Sequence, residues 1–161
     1  MPMPRVTEET QKKVRAEFMI DDQSIHDFFN ETMTRMKEGN PVIYAFLDYI
    51  LNEPVNQKWN LEAVFFACVV YRWFELEFGQ ALPQVTQAVA SSVEEKYEHD
   101  PIQFCRECSE HLRDENPIVL KLALQSMQGL KAKQGMLLCG TGFILYTLLA
   151  AQEAVEEMLP S

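Results

Sequence analysis

The stretch Leu61 to Phe74, reading LEAVFFACVVYRWF, is apolar on nearly every side and is broken by Glu62 and Arg72. Its centre, Val64 to Tyr71, is β-branched and aromatic, the composition of a strand. A strand needs a partner, and no other segment shows the alternation of apolar and polar residues that a half-buried strand requires. The stretch therefore reads as helix, and a helix apolar all round is one enclosed by neighbours. Val42 to Leu51, interrupted by Asp48, and Met136 to Ala151 share that character.

Outside these three runs the pattern is that of one-faced helices. Ile25, Phe28, Phe29, Thr32, Met33 and Met36 recur at helical spacing before Gly39. Val85, Ala88, Val89, Ser92, Val93 and Tyr97 do the same, and Ile102, Cys105, Cys108 and Leu112 form a further stripe directed at a core. Three helix starts are marked by an Asn or Asp followed by Pro: Asn40-Pro41, Asp100-Pro101 and Asn116-Pro117. The first residue supplies a capping oxygen and the proline suits the first helical position. Gln103 stands where a capping box with Asp100 would need it. Helices are expected over about 7–20, 24–38, 41–52, 61–78, 84–98, 101–113, 117–129 and 136–158. The expected fold is all-α, a bundle of seven to eight helices forming one domain over residues 1–161.

A shift of 76 residues overlays Lys37-Glu38-Gly39-Asn40-Pro41-Val42-Ile43 on Arg113-Asp114-Glu115-Asn116-Pro117-Ile118-Val119, and pairs Phe28 with Phe104. One start signal used twice in a helix-rich chain gives such an overlay. So does an internal repeat of residues 7–78 and 84–158, two quasi-equivalent four-helix halves whose long apolar helices would meet near a pseudo-two-fold axis.

With 161 residues, 47% of them hydrophobic and 24% charged, the chain can bury a sizeable core without staples. Fourteen basic residues against 24 acidic ones give a net charge of -10, which argues against nucleic acid as a partner, since phosphates call for clustered Lys and Arg. Between Pro41 and Asp100 three basic residues face nine acidic ones, which favours a basic protein partner or a cation, although a solvated acidic face has the same composition. Cys68, Cys105, Cys108 and Cys139 sit inside apolar segments and not at bridge-bearing loops, so a reducing, cytoplasmic setting is expected. Met1 to Arg5 carry no apolar region of a secretory signal. Gly135 to Ala151 is uncharged for 17 residues, between Lys131, Lys133 and Glu153, but it contains three glycines and two threonines and reads as a buried helix before a membrane anchor.

Cys105-Arg106-Glu107-Cys108-Ser109-Glu110-His111 is the sharpest local feature, because thiols three apart share a helix face and can be activated near a helix start. With Glu94 upstream it resembles the CxxC-and-His element of all-α alkylhydroperoxidase-like peroxidases, whose His lies one residue further on; the resemblance implies thiol redox at Cys105, Cys108, His111 and Glu94. A zinc set from Cys105, Cys108, His111 and His99 fails on geometry, since ligands strung along one straight helix cannot enclose a tetrahedral ion. The competing reading is that the cysteines serve as small core residues with His111 at their edge.

Glu94-Glu95-Lys96-Tyr97-Glu98 looks like the EExxE element of all-α nucleotide pyrophosphohydrolases, but the ExxD those enzymes carry on the next helix has no counterpart here. No His follows a Glu by three positions, which removes the carboxylate-bridged metal bundles. Gly140-Thr141-Gly142 lacks the strand and the Lys-Ser or Lys-Thr of a phosphate loop, and Gly135, Cys139 and Gly142 instead make a small-residue stripe for close helix approach. Asp48 and Arg72, charges within apolar helices, either pair with each other, pair through Arg72 and Glu75, or line a pocket. Tyr71, Trp73 and Trp59 are core residues or an interface anchor.

These features favour a non-enzymatic protein-interaction or regulatory module, with a protein partner or self-association, no metal and no cofactor. Its expected mark is a contiguous exposed apolar patch rimmed by acids. The alternatives are a thiol-redox or metal-dependent enzyme on the Cys105, Cys108 and His111 helix, and a bundle enclosing a small apolar ligand beside Asp48 and Arg72.

Overall fold

The marked starts are where helices begin. In the computed structural model, which describes residues 3–159 apart from the side chains of Ala132 and Lys133, the elements are α1 (Glu8–Phe18), α2 (Asp22–Gly39), α3 (Pro41–Leu51), α4 (Gln57–Phe78), α5 (Gln87–His99), α6 (Pro101–Glu115), α7 (Pro117–Met127) and α8 (Ala132–Met158). A single 3-10 turn, Gly79–Ala81, follows α4, and no strand occurs among the described residues. Met1 and Pro2 lie outside the described residues, so the absence of a secretory signal remains a reading of sequence.

Four starts are capped by side chains: Thr7 accepts from Thr10 N–H, Asp21 from Ser24, Thr86 from Val89 and Asp100 from Gln103. Asp21 and Ser24 close a reciprocal capping box. Gln103 does not return one to Asp100; its amide reaches Glu107 instead, at 3.1 Å.

Asn40 and Asn116 depart from expectation. Neither side chain caps its helix. Each is buried and spans the two halves of the chain. Asn40 Oδ1 accepts from Val85 N–H at 2.8 Å, and its Nδ2 donates to the Pro83 carbonyl at 3.1 Å and to Tyr71 Oη at 3.2 Å. Asn116 Oδ1 accepts from Val6 N–H at 2.7 Å and its Nδ2 donates to the Pro4 carbonyl at 3.1 Å, while its side chain also bonds Tyr146. The arms held in this way have the same form, Pro4-Arg5-Val6-Thr7 before α1 and Pro83-Gln84-Val85-Thr86 before α5. The asparagine that opens α3 grips the arm leading into α5, and the one that opens α7 grips the arm leading into α1. Buried backbone donors are costly to leave unpaired, which gives an Asn at these two points a tertiary reason beyond its capping value.

The core lies along α4 and α8, which pack against each other. Eleven residues of α4 are buried, among them Ala63, Val64, Ala67, Val70, Trp73 and Phe74, so the helix apolar on every side is enclosed as expected. A side chain of this kind contributes roughly 1.5–3 kcal/mol on burial. The two helices approach at Gly142, where a Cβ would fall 1.9 Å from Phe66 Cε1, a distance open only to glycine. Gly135 and Gly140 face Met127 and Tyr97, so the small residues of α8 admit three different neighbours and not one stripe partner. Gln134–Met158 is long and apolar enough to cross a membrane, yet 67% of its most apolar window is buried among the other helices.

Two expectations are corrected. In α3 only Ile43 and Leu47 are buried, and Tyr49 is 72% exposed, because α3 lies on the surface of the bundle with one face against it. In α6 the core stripe is Phe104, Cys108 and Leu112, at a regular four-residue step, and Ile102 is 61% exposed. Tyr71 and Trp73 are core residues, while Trp59 is half-buried with the Lys58 ammonium 5.1 Å from its ring.

Candidate functional site

Residues Cys105, Cys108 and His111 lie on α6 as read, but they do not converge. Cys108 is buried against α8, with Sγ 4.0 Å from Thr147 Oγ1, and Cys105 is half-buried. His111 Nε2 lies 3.2 Å from the hydroxyl of Tyr146, itself a core residue. Cys108, His111, Tyr146 and Thr147 border a hollow of about 350 Å3 that Cys105 does not line. Glu94 borders a different groove. Among the described residues no three His, Cys, Asp or Glu side chains are placed to hold a metal.

Burial pushes the Cys108 thiol up to about 12, against a small opposing contribution from Thr147, and pushes Cys139 up to about 12 as well. Cys105 and Cys68 are raised by the same cause. A thiolate is the nucleophile in redox chemistry, and burial works against that form at each of these thiols. At pH 8 an aromatic disulfide reagent is expected to titrate Cys105 slowly and to leave the other three silent until the fold is lost; two fast thiols lost in Cys105→Ser would reverse this reading. The same shifts, with those that burial imposes on Tyr71, Tyr97 and Tyr146, work against the fold at alkaline pH. A thiol whose folded value is raised stabilises the fold fully below its ordinary value near 9, and that contribution is lost as pH rises toward 12. Under reducing conditions the unfolding free energy from urea titration should fall between pH 9 and 11, by up to about 1.4 kcal/mol per pH unit for each such thiol, and less steeply in Cys108→Ala.

The Asp48 to Arg72 pair does not form. Arg72 makes a forked contact to Glu17 of α1, at 3.0 and 3.1 Å, and lies 3.6 Å from Glu75, the alternative partner read from sequence. Glu75 in turn binds Arg35 of α2 at 2.9 Å. Arg72 thus ties three helices together near the surface. Arg72 borders a hollow of about 330 Å3 with Glu17, Asp27, Glu31 and Arg35, which Asp48 does not line.

The structure opens instead a groove of about 540 Å3 between α3, α5 and α8. Val42, Phe46, Tyr49 and Ile50 of α3 form one wall, Ala90, Glu94, Tyr97 and Glu98 of α5 the other, and Leu137, Thr141 and Ile144 of α8 the floor. The floor is mostly apolar, and Thr141 Oγ1 donates to its own helix at the Leu137 carbonyl, 3.1 Å away. Tyr97 is held edge-on to Phe104 at 5.5 Å, which fixes it as a wall. Glu94 and Glu98 lie one helical turn apart and have no ion-pair partner among the described residues. Two like charges at that spacing oppose each other by a few tenths of a kcal/mol, a cost the isolated chain does not relieve.

Of the groove residues, sequence reading named Glu94, Tyr97, Glu98 and Thr141, each in another connection, and singled out neither Phe46 nor Tyr49. The available signal was the run Val42 to Leu51, too apolar for a helix that buries two residues. A second groove of about 700 Å3 opens between α1, α2, α4 and α7, lined by Phe18, Phe29, Phe65 and Leu122, with Arg15 and Met19 at its mouth.

Compared with models of known families, with curated proteins and with solved structures, the chain has no match. Its functional reading rests on its own geometry.

Proposed function

We propose that this chain is a non-enzymatic protein-interaction module that holds its partner in the groove between α3, α5 and α8. The observation that carries the reading is an open, apolar-floored groove with a carboxylate rim. A concave, mostly apolar surface with a few polar groups at its edge is the form that binding sites take. Tyr49, 72% exposed at the groove wall, is the anchor type that such interfaces favour. Four free thiols, three of them buried, fit a reducing cytoplasmic setting for the complex.

Photo-crosslinking in the native cell tests this. A benzophenone side chain placed at Tyr49 is expected to capture one defined protein, whereas the same group at Leu124, also exposed but on α7, is expected to give only background. Identical products from both positions, or none from Tyr49, would remove the groove from consideration as a docking site.

A further inference from the structure

We infer that the partner segment received by the α3, α5 and α8 groove is a cationic amphipathic helix, whose apolar stripe lies on Phe46 and Tyr49 and whose Lys or Arg residues, one turn apart, meet Glu94 and Glu98. This rests on the groove being the docking site. Three observations lead to a helix of that charge. The first is length. Val42 to Ile50 covers about 12 Å of α3 and Gln87 to Glu98 about 16 Å of α5, so the groove accommodates roughly two to three turns of a docked helix. Helix-in-groove recognition uses anchors at that spacing. The second is charge. The two carboxylates are one turn apart on the same wall, no cationic side chain lines the groove, and the chain as a whole carries -10.

The third is an internal comparison. The arms before α1 and α5 match with an offset of 79 residues, since Pro4, Val6 and Thr7 stand where Pro83, Val85 and Thr86 stand. At that offset Glu94, Tyr97 and Glu98 of one groove correspond to Arg15, Phe18 and Met19 of the other. An aromatic wall occurs in both. The second groove has Glu62 on α4 but no carboxylate at the two matched positions, so the scaffold does not demand acids there, and Glu94 and Glu98 belong to the chemistry of the first groove.

The probe is an 18-residue designed Leu/Lys peptide with Leu at i, i+3, i+4 and i+7, set against a Leu/Glu peptide of the same pattern and a scrambled Leu/Lys peptide, read by fluorescence anisotropy. The patterned Leu/Lys peptide is expected to bind one to one and to weaken with salt. Glu94→Gln with Glu98→Gln should weaken it about tenfold, as two part-exposed ion pairs allow, while the distant Glu8→Gln with Glu9→Gln leaves it unchanged. Tyr49→Ala, at an exposed position that folding does not depend on, should weaken all patterned peptides. If Tyr49→Ala weakens binding and the glutamine pair does not, the groove stands and the cationic partner falls. If Tyr49→Ala has no effect, or the scrambled peptide binds as well, both fall. A concentration-dependent dimer that excludes the peptide would make a second copy the occupant and overturn the inference.

Discussion

Gly142→Ala is expected to destabilise the fold by about 3 kcal/mol, the upper range for overpacking a tight core. Alanine in place of a helical glycine ordinarily gains up to about 1 kcal/mol. Here the new Cβ would stand 1.9 and 2.3 Å from two carbons of the Phe66 ring, where α4 and α8 cross with both residues buried. Repulsion wins, because a buried ring cannot turn aside without displacing its own neighbours. Urea unfolding measures the loss, and a second-site change isolates its cause. Phe66→Leu alone should cost about 1 kcal/mol, yet in the Gly142→Ala background it should restore stability, a coupling of more than 1 kcal/mol between the two sites. An unchanged midpoint for Gly142→Ala would show that the crossing has slack.

The second large effect is expected at Asn40 and Asn116. Asn116→Ala leaves the buried Val6 N–H without its acceptor and the Pro4 carbonyl without its donor, and Asn40→Ala does the same to Val85 and Pro83. Each unpaired buried group costs about 1–3 kcal/mol, so each variant should lose about 3 kcal/mol. Location makes the prediction specific. In hydrogen exchange Asn116→Ala should release the Val6 amide, 110 positions away in sequence, with Val85 still protected, and Asn40→Ala should release Val85 with Val6 still protected. Uniform loss of protection in both variants would mean that the asparagines act only on global stability.

These same residues show what the sequence could and could not convey. Helix type and most boundaries were legible because capping oxygens, first-turn prolines and apolar periodicity act locally, and Thr7, Asp21, Thr86 and Asp100 behave as local chemistry dictates. Asn40 and Asn116 carry the same signal but spend their side chains on partners 45 and 110 positions away, which no local rule reveals. The likeness of the two halves is faint in sequence for a physical reason too. Matched positions stand 79 apart in the arms, 76 apart at the asparagines and 75 apart at Tyr71 and Tyr146, so no single shift aligns them. The groove was hidden because one element supplies each wall: an over-apolar α3 was legible, but which acids would face it depended on how α5 packs. Cys105, Cys108 and His111 were legible as one face of α6, and the packing of α8 then decided that Cys108 is covered while Cys105 lies outside the hollow that His111 borders.

The two asparagine clasps also impose an order on biosynthesis. A ribosome delivers the chain from its amino end, and domains generally assemble in the order in which they emerge. The residues just before α1 are made well ahead of their clasp, since 110 positions separate Val6 from Asn116. The arm before α1 is therefore fastened late, and until Asn116 emerges the Val6 amide, buried in the finished fold, has only water to pair with.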